Sequence, residues 1–314
     1  MRLLRLDPRP FLLLTRITLG LFTLNFVTGA AVRLSGSGLG CPDWPGCTRD
    51  HLTAPLAGHA GIEFANRLVV VLLSVATFAV LLGAWRRTPC RRDLTWLSAG
   101  LVLGVFAEAL VGKVVVVSKL NPYVVAGHFL LGIALLALAA NLVLRAGRET
   151  GPRPPKVTPG DVTLTRVLIG FLFVVLTAGA ATTGTGPHAG GVGAKRIPVP
   201  LDDMVRTHSS LALTLGGLTL LLLWRLQRRA APESVQARGR ILLAVLLTQG
   251  VLGYTQFFLH LPPLLVGIHV LGAATVWVAY LWFHDGLFGA PTPTPAGDPP
   301  TDADALTAVA PAPT

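Results

Sequence analysis

Three histidines and one carboxylate carry the chemistry that this chain spells out. His128 lies 16 residues after Gly112, and His269 lies 16 residues after Gly253. His208 precedes His269 by 61 residues and Asn66 precedes His128 by 62, so an amide stands where a fourth imidazole would complete the pattern. All four positions fall at the mouths of long apolar runs, where polar groups are costly and usually partnered. Two neutral imidazoles from facing helices of a bundle form a natural axial pair for haem iron, and His208 with His269 is read that way. The bland alternative is that each ring hydrogen-bonds a backbone carbonyl. Asn66 is a poor iron ligand, so a haem on His128 would keep one coordination position open or water-filled. The pattern divides labour between one fixed haem and one exchangeable, reactive haem.

Glu63 lies three residues before Asn66, on the same helical face, where a carboxylate could take or relay protons beside a porphyrin. A favourable charge at a helix N-terminus or an ion pair with Arg67 accounts for the same position equally well. Arg67 suits a haem propionate or an interfacial anchor.

Such groups need helices in a membrane to position them. The 314 residues are 52% hydrophobic and 13% charged, with mean hydropathy +0.63, whereas a soluble domain carries about 25% charged residues. Eight apolar runs are long enough to cross a bilayer: residues 11–31, 62–85, 94–112, 123–145, 162–183, 204–224, 239–259 and 264–284. No small-residue cleavage site follows the first, and Arg16 lies inside it, so it reads as a retained span. The expected fold is an all-α integral membrane protein of eight transmembrane helices.

The net charge of +11 is placed, not diffuse. Sixteen of the 26 basic residues precede span one or lie in the connections after spans two, four and six. The positive-inside rule sets those connections and both termini in the cytoplasm. That placement orients a membrane protein and argues against nucleic-acid binding. The chain also repeats itself. Leu14-Thr15-Arg16 recurs as Leu164-Thr165-Arg166, and Thr28-Gly29-Ala30-Ala31 is echoed by Ala178-Gly179-Ala180-Ala181. Two tandem four-helix bundles, 10–150 and 157–286, follow, with an expected pseudo-twofold along the membrane normal. Residues 287–314, rich in Pro, Ala, Thr and Asp, lack the apolar content to fold and read as a disordered cytoplasmic tail.

This orientation puts the loop holding Cys41 and Cys47 outside the cytoplasm. Compartment, spacing and the turn-forming Pro42 and Pro45 favour a disulfide over two unpaired thiols. Cys90, on the cytoplasmic side, reads as a free thiol. Glu108 aligns with Gln249 of the second copy, which suits polar packing between helices or a hydrogen bond toward the haem pockets. Lys113 and Lys119 snorkel outward. His51, His188, His260 and His284 have no counterpart, and His59, one turn before Glu63, is a weak candidate only.

Residues 28–47, T-G-A-A-V-R-L-S-G-S-G-L-G-C-P-D-W-P-G-C, with E-F-A-N-R at 63–67 and the duplicated histidines, resemble the haem A synthase family over nearly all of residues 11–284. The resemblance implies an eight-span oxidoreductase that converts the C8 methyl of haem O to a formyl group, giving haem A for terminal oxidases. It implies a haem b cofactor on His208 and His269, and substrate haem O on His128 beside Asn66 and Arg67. Glu63 becomes the essential carboxylate, and Cys41 with Cys47 the outer-loop disulfide. Many members have E-x-x-H-R, and here the histidine position is Asn66. The implied partners are membrane lipid, a haem O synthase that hands over its product, and an electron partner the sequence does not name. A di-haem b-type electron-transfer cytochrome would share the histidines but gives no reason for Asn66 beside Glu63. A repeat-built transporter would place its polar breaks near the midplane, and a haem prenyltransferase would carry an aspartate-rich diphosphate site.

Overall fold

The computed structural model describes residues 5–41, 43–44, 46–48, 50, 53–54 and 57–291. His51, Pro42, Pro45 and the tail beyond residue 291 lie outside the described residues. Within them are eight helices: α1 (Pro8–Leu34), α2 (Gly58–Arg86), α3 (Arg92–Val117), α4 (Pro122–Ala146), α5 (Pro159–Thr185), α6 (Leu201–Arg228), α7 (Glu233–Phe258) and α8 (Pro263–Gly286). Each has 24 to 29 residues and an apolar window suited to membrane crossing. At about 1.5 Å per residue, even the shortest exceeds a hydrocarbon layer of about 30 Å. The protein is therefore an all-α integral membrane protein. Among the described residues the only bridges of β type are two isolated ones, Leu6 with Arg87 and Pro155 with Phe288.

The helices start one to six residues before their apolar runs, and all but α7 end one to five residues beyond them. Hydropathy falls where the chain leaves the bilayer, but the backbone still needs its i to i−4 partners and continues until a cap ends it. Proline occupies the first turn of α1, α4, α5 and α8, where its missing N–H costs nothing. Asn121 accepts the Tyr123 N–H at 3.0 Å to start α4, and Thr158 accepts that of Asp161 at 3.3 Å to start α5.

The packing order repeats. In the first half α1 packs on α2 and α4, and α3 on α2 and α4; in the second, α5 packs on α6 and α8, and α7 on α6 and α8. Thus α2 stands diagonally across from α4, and α6 from α8. The halves meet through α1, α4, α5 and α8, where the Trp277 indole donates to Ile133 O at 3.0 Å. Arg33 of α1 also crosses over, donating to Thr183 O at 2.7 Å and His188 O at 2.8 Å.

One turn is copied in detail. Ser118, Lys119 and Leu120 donate to Val114, Val116 and Val115; Leu259, His260 and Leu261 donate to Thr255, Phe257 and Gln256. Both turns hold two consecutive non-glycine residues at positive φ, Lys119 with Leu120 and His260 with Leu261. That conformation is costly for L-residues, and it recurs at the same 141-residue offset that separates His128 from His269. At the opposite end arginines gather on few carboxylates. Asp285 takes Arg148 and Arg153, and buried Asp161 takes Arg229 at 2.9 Å and Arg225 at 3.3 Å.

Candidate functional site

His208 lies in the second turn of α6 and His269 in the second turn of α8, and the diagonal placement of these helices brings the two rings together across the bundle. Their centroids are 6.4 Å apart and their planes 83° apart. His208 Nδ1 lies 3.1 Å from Val175 O. A carbonyl only accepts, so Nδ1 carries the hydrogen and Nε2 keeps its lone pair, the tautomer a metal ligand needs. His269 Nδ1 is buried without a hydrogen-bond partner. Two imidazoles sharing one metal ion, each nitrogen about 2 Å from it, have ring centres about this far apart, so the pair fits a haem iron. Eleven residues further along each helix, three turns down the same face, the buried Thr219 and Tyr280 hydroxyls hydrogen-bond to each other. They close the bundle beneath the imidazoles.

Glycines make room for the rings. A Cβ on Gly179 of α5 would come within 3.0 Å of His208 Cε1, one on Gly253 of α7 within 3.1 Å of His269 Cε1, and one on Gly112 of α3 within 3.5 Å of His128 Cε1. Each imidazole therefore lies flush against a helix backbone. The fourth member of the set, Gly29, has nothing within 4 Å of its would-be Cβ. Its counterpart side chain, Asn66, instead accepts the Thr28 hydroxyl on Oδ1 at 2.7 Å.

In the first half, His128 of α4 faces α3 through Glu108 as well as Gly112. Glu108 Oε1 is 3.2 Å from His128 Nδ1. The contact is close but not aligned as a hydrogen bond, and His128 Nδ1 and Glu108 Oε2 are both buried without another partner. At the aligned position of the second half, Gln249 donates to the main-chain oxygen of His269 at 2.7 Å.

Glu63 and Arg67 form a clamp on the cysteine loop. Glu63 is 5% exposed. Its Oε1 pairs with Arg67 at 2.6 Å and its Oε2 accepts the Cys41 N–H at 2.8 Å. Arg67 also donates to Asp43 O at 2.9 Å, Gly46 O at 2.7 Å and Cys41 O at 3.0 Å. The ion pair weighed for Glu63 is thus present, and the Arg67 guanidinium is directed at loop carbonyls. Cys41 and Cys47 are joined as a disulfide, and Cys90 is a free, exposed thiol. Gly40 is required by contact: a Cβ there would meet His59 O at 2.5 Å. His59 itself bonds Ser37 Oγ through Nδ1 at 2.9 Å, and His188 Nε2 donates to Leu261 O at 2.9 Å. Both serve the loops of this end.

Sequence reasoning brought together the histidines, Asn66 and the Glu63–Arg67 pair. It missed Thr28 as the partner of Asn66 and the glycines as ring supports, although the equal glycine-to-histidine spacings in the two halves pointed to the latter.

The family model described as cytochrome oxidase assembly protein (COX15-CtaA) matches residues 13–60 and 53–190. A protein of Shewanella oneidensis named heme A synthase is 25% identical over 86% of this chain and 96% of its own length. Proteins of the same name from Lysinibacillus sphaericus and Geobacillus kaustophilus are 31% and 32% identical. Each of those alignments covers 38% of this chain, and 39% and 38% of the respective relative.

Proposed function

The chain belongs to the cytochrome oxidase assembly protein family, and from that premise we propose that it is a haem A synthase, an oxidoreductase that converts the C8 methyl of haem O to a formyl group. The observation that carries this reading is the asymmetry between the halves: two imidazoles face each other across one, whereas in the other the position matching His208 in the repeat is an amide, Asn66, bonded to Thr28. A plain electron-transfer cytochrome has no use for that difference.

In this reading His208 and His269 of residues 157–286 would hold haem b, with Val175 O fixing the His208 tautomer. Haem b there supplies one-electron transfer when bound. Residues 10–150 receive haem O, held by His128 Nε2 on one side. Asn66, whose Oδ1 is taken up by Thr28, supplies no second imidazole for it. Methyl to aldehyde is a four-electron oxidation: two steps, each exchanging one C–H bond for a C–O bond, give the alcohol and then a gem-diol that loses water, with the oxygen atoms and an electron acceptor supplied from outside this chain and the C–H hydrogens leaving as protons. Glu63, one turn from Asn66, takes them at its carboxylate, with Arg67 as its counter-ion. The Cys41–Cys47 loop fixes both groups through Cys41 N–H and the loop carbonyls. The arginine-rich end faces the cytoplasm, and the cysteine loop faces out. Haem O comes from a haem O synthase within the same membrane, since a substrate this apolar is best passed through lipid.

The test is to extract and identify the haems of the purified protein, made with and without a co-expressed haem O synthase. Haem B alone without the synthase, and added haem A with it, is the expected result. Haem B alone in both preparations, with no conversion of supplied haem O, would leave a cytochrome without substrate chemistry.

A further inference from the structure

We propose that Glu108 is a positioning residue for His128, accepting the Nδ1–H of that ring and strengthening it as the sole protein ligand of the reacting haem. The proposal rests on the reading that His128 holds substrate haem iron.

Four observations carry it. Glu108 and Gly112 are one turn apart on α3, and both face the ring: Gly112 meets Cε1, and Glu108 Oε1 comes to 3.2 Å from Nδ1. Those two polar atoms have few alternatives, since His128 Nδ1 is buried with no aligned partner and Glu108 Oε2 has none either. The proposal requires only that the ring turn enough to align the pair. Room for the carboxylate is provided by α4 itself: a Cβ on Gly132, one turn past His128, would meet Glu108 Oε1 at 3.2 Å and Phe26 Cζ at 3.1 Å. Finally, the same place in the second half holds an amide, Gln249, which turns its NH2 to the His269 main chain and leaves the His269 ring alone. The carboxylate thus occurs only in the half that lacks a second imidazole.

The physical consequence follows from hydrogen bonding to a metal-bound imidazole. An acceptor on Nδ1 fixes the tautomer, directs Nε2 to the metal, and makes the ring a stronger donor. With Asn66 unable to ligate, the iron depends on His128 alone, and Glu108 raises what that one bond contributes.

The test uses the full-length protein purified without haem O and then loaded with haem O. The readouts are haem O affinity and the iron–histidine stretching band of the ferrous form by resonance Raman spectroscopy. Glu108→Gln is expected to weaken haem O binding on the order of tenfold or more and to move the band to lower frequency. The low-spin spectrum of the second half should not change. An unchanged band and affinity would overturn the proposal, leaving Glu108 a packing residue. His128→Ala tests the underlying reading separately: if it keeps both the band and the affinity, His128 is not the ligand. Should Glu108→Gln lose the second-half spectrum as well, Gly132→Ala takes its place, since a Cβ there displaces the carboxylate without removing it. A band shift in that variant supports the proposal, and its absence overturns it.

Discussion

The Thr28 hydroxyl donates to Asn66 Oδ1 at 2.7 Å, and this bond occupies the amide at the level where the other half sets His208 against Gly179. Thr28 adjoins Gly29, which aligns with Gly179 in the repeat and whose would-be Cβ meets nothing within 4 Å. Asn66→His is expected to bind the exchangeable haem with two histidines, adding a second low-spin signal to the electron paramagnetic resonance spectrum and lowering turnover. A spectrum identical to that of the unaltered protein would show that position 66 does not address the iron.

The glycine supports give a paired prediction. Gly179→Ala puts a methyl group within 3.0 Å of His208 Cε1, so the ring must shift and the low-spin haem should be weakened or lost. Gly29→Ala meets nothing, and replacing a helical glycine with alanine is worth up to about 1 kcal/mol. It should therefore leave the haem spectrum unchanged and raise thermal stability slightly. Absorbance spectra and melting curves of the two variants check both statements.

Glu63→Ala removes the proposed proton acceptor together with one half of the clamp. Loss of a general acid or base costs about 10²- to 10⁴-fold in rate, so haem A formation should fall by that order while the haem b spectrum stays. The Cys41 amide, now bonded to Glu63 Oε2, should exchange its hydrogen faster. Glu63→Gln separates the roles, because an amide can still accept from Cys41 while no longer taking a proton. Full activity in Glu63→Gln would make the residue purely structural.

Arg67→Lys tests the clamp from its other side. The planar guanidinium reaches three carbonyls and one carboxylate oxygen together, which a lysine ammonium cannot copy. The variant is expected to keep its disulfide yet show faster hydrogen exchange across the cysteine loop and reduced turnover. An unaltered exchange pattern would mean that the disulfide alone orders the loop.

How much of this was legible beforehand follows from the range of each interaction. Span number and helix-mouth histidines are written in local hydropathy and spacing, and the equal offsets announced the copied α3–α4 and α7–α8 turns. The Glu63–Arg67 pair is four residues long and was equally accessible. What the pair holds was not: Cys41, Asp43 and Gly46 offer backbone carbonyls or amides 21 to 26 residues away, and main-chain groups carry no signature in sequence. The bond between Thr28 and Asn66 spans 38 residues, so no helical periodicity relates them. Glu108 aligned with Gln249 from the repeat alone, but the direction each side chain takes depends on the space left by Gly132 and Gly272. A Cβ at Gly272 would lie 2.0 Å from Gln249 Oε1.

The pairing of His208 with His269 admits a test by removal and chemical rescue. His208→Ala leaves Val175 O and the Gly179 backbone facing the space the ring had filled, a site that free imidazole can enter and donate to in the same way. The His208→Ala protein is expected to lose its low-spin iron spectrum and to regain part of it in millimolar imidazole. Haem O binding at His128 should persist in both states, because that ligand belongs to a different helix set. His269→Ala should behave alike, with weaker rescue, since the His269 ring has no carbonyl to orient a replacement. If both variants keep an unaltered low-spin spectrum, the iron is held elsewhere, and the 6.4 Å approach of the two rings is packing and nothing more.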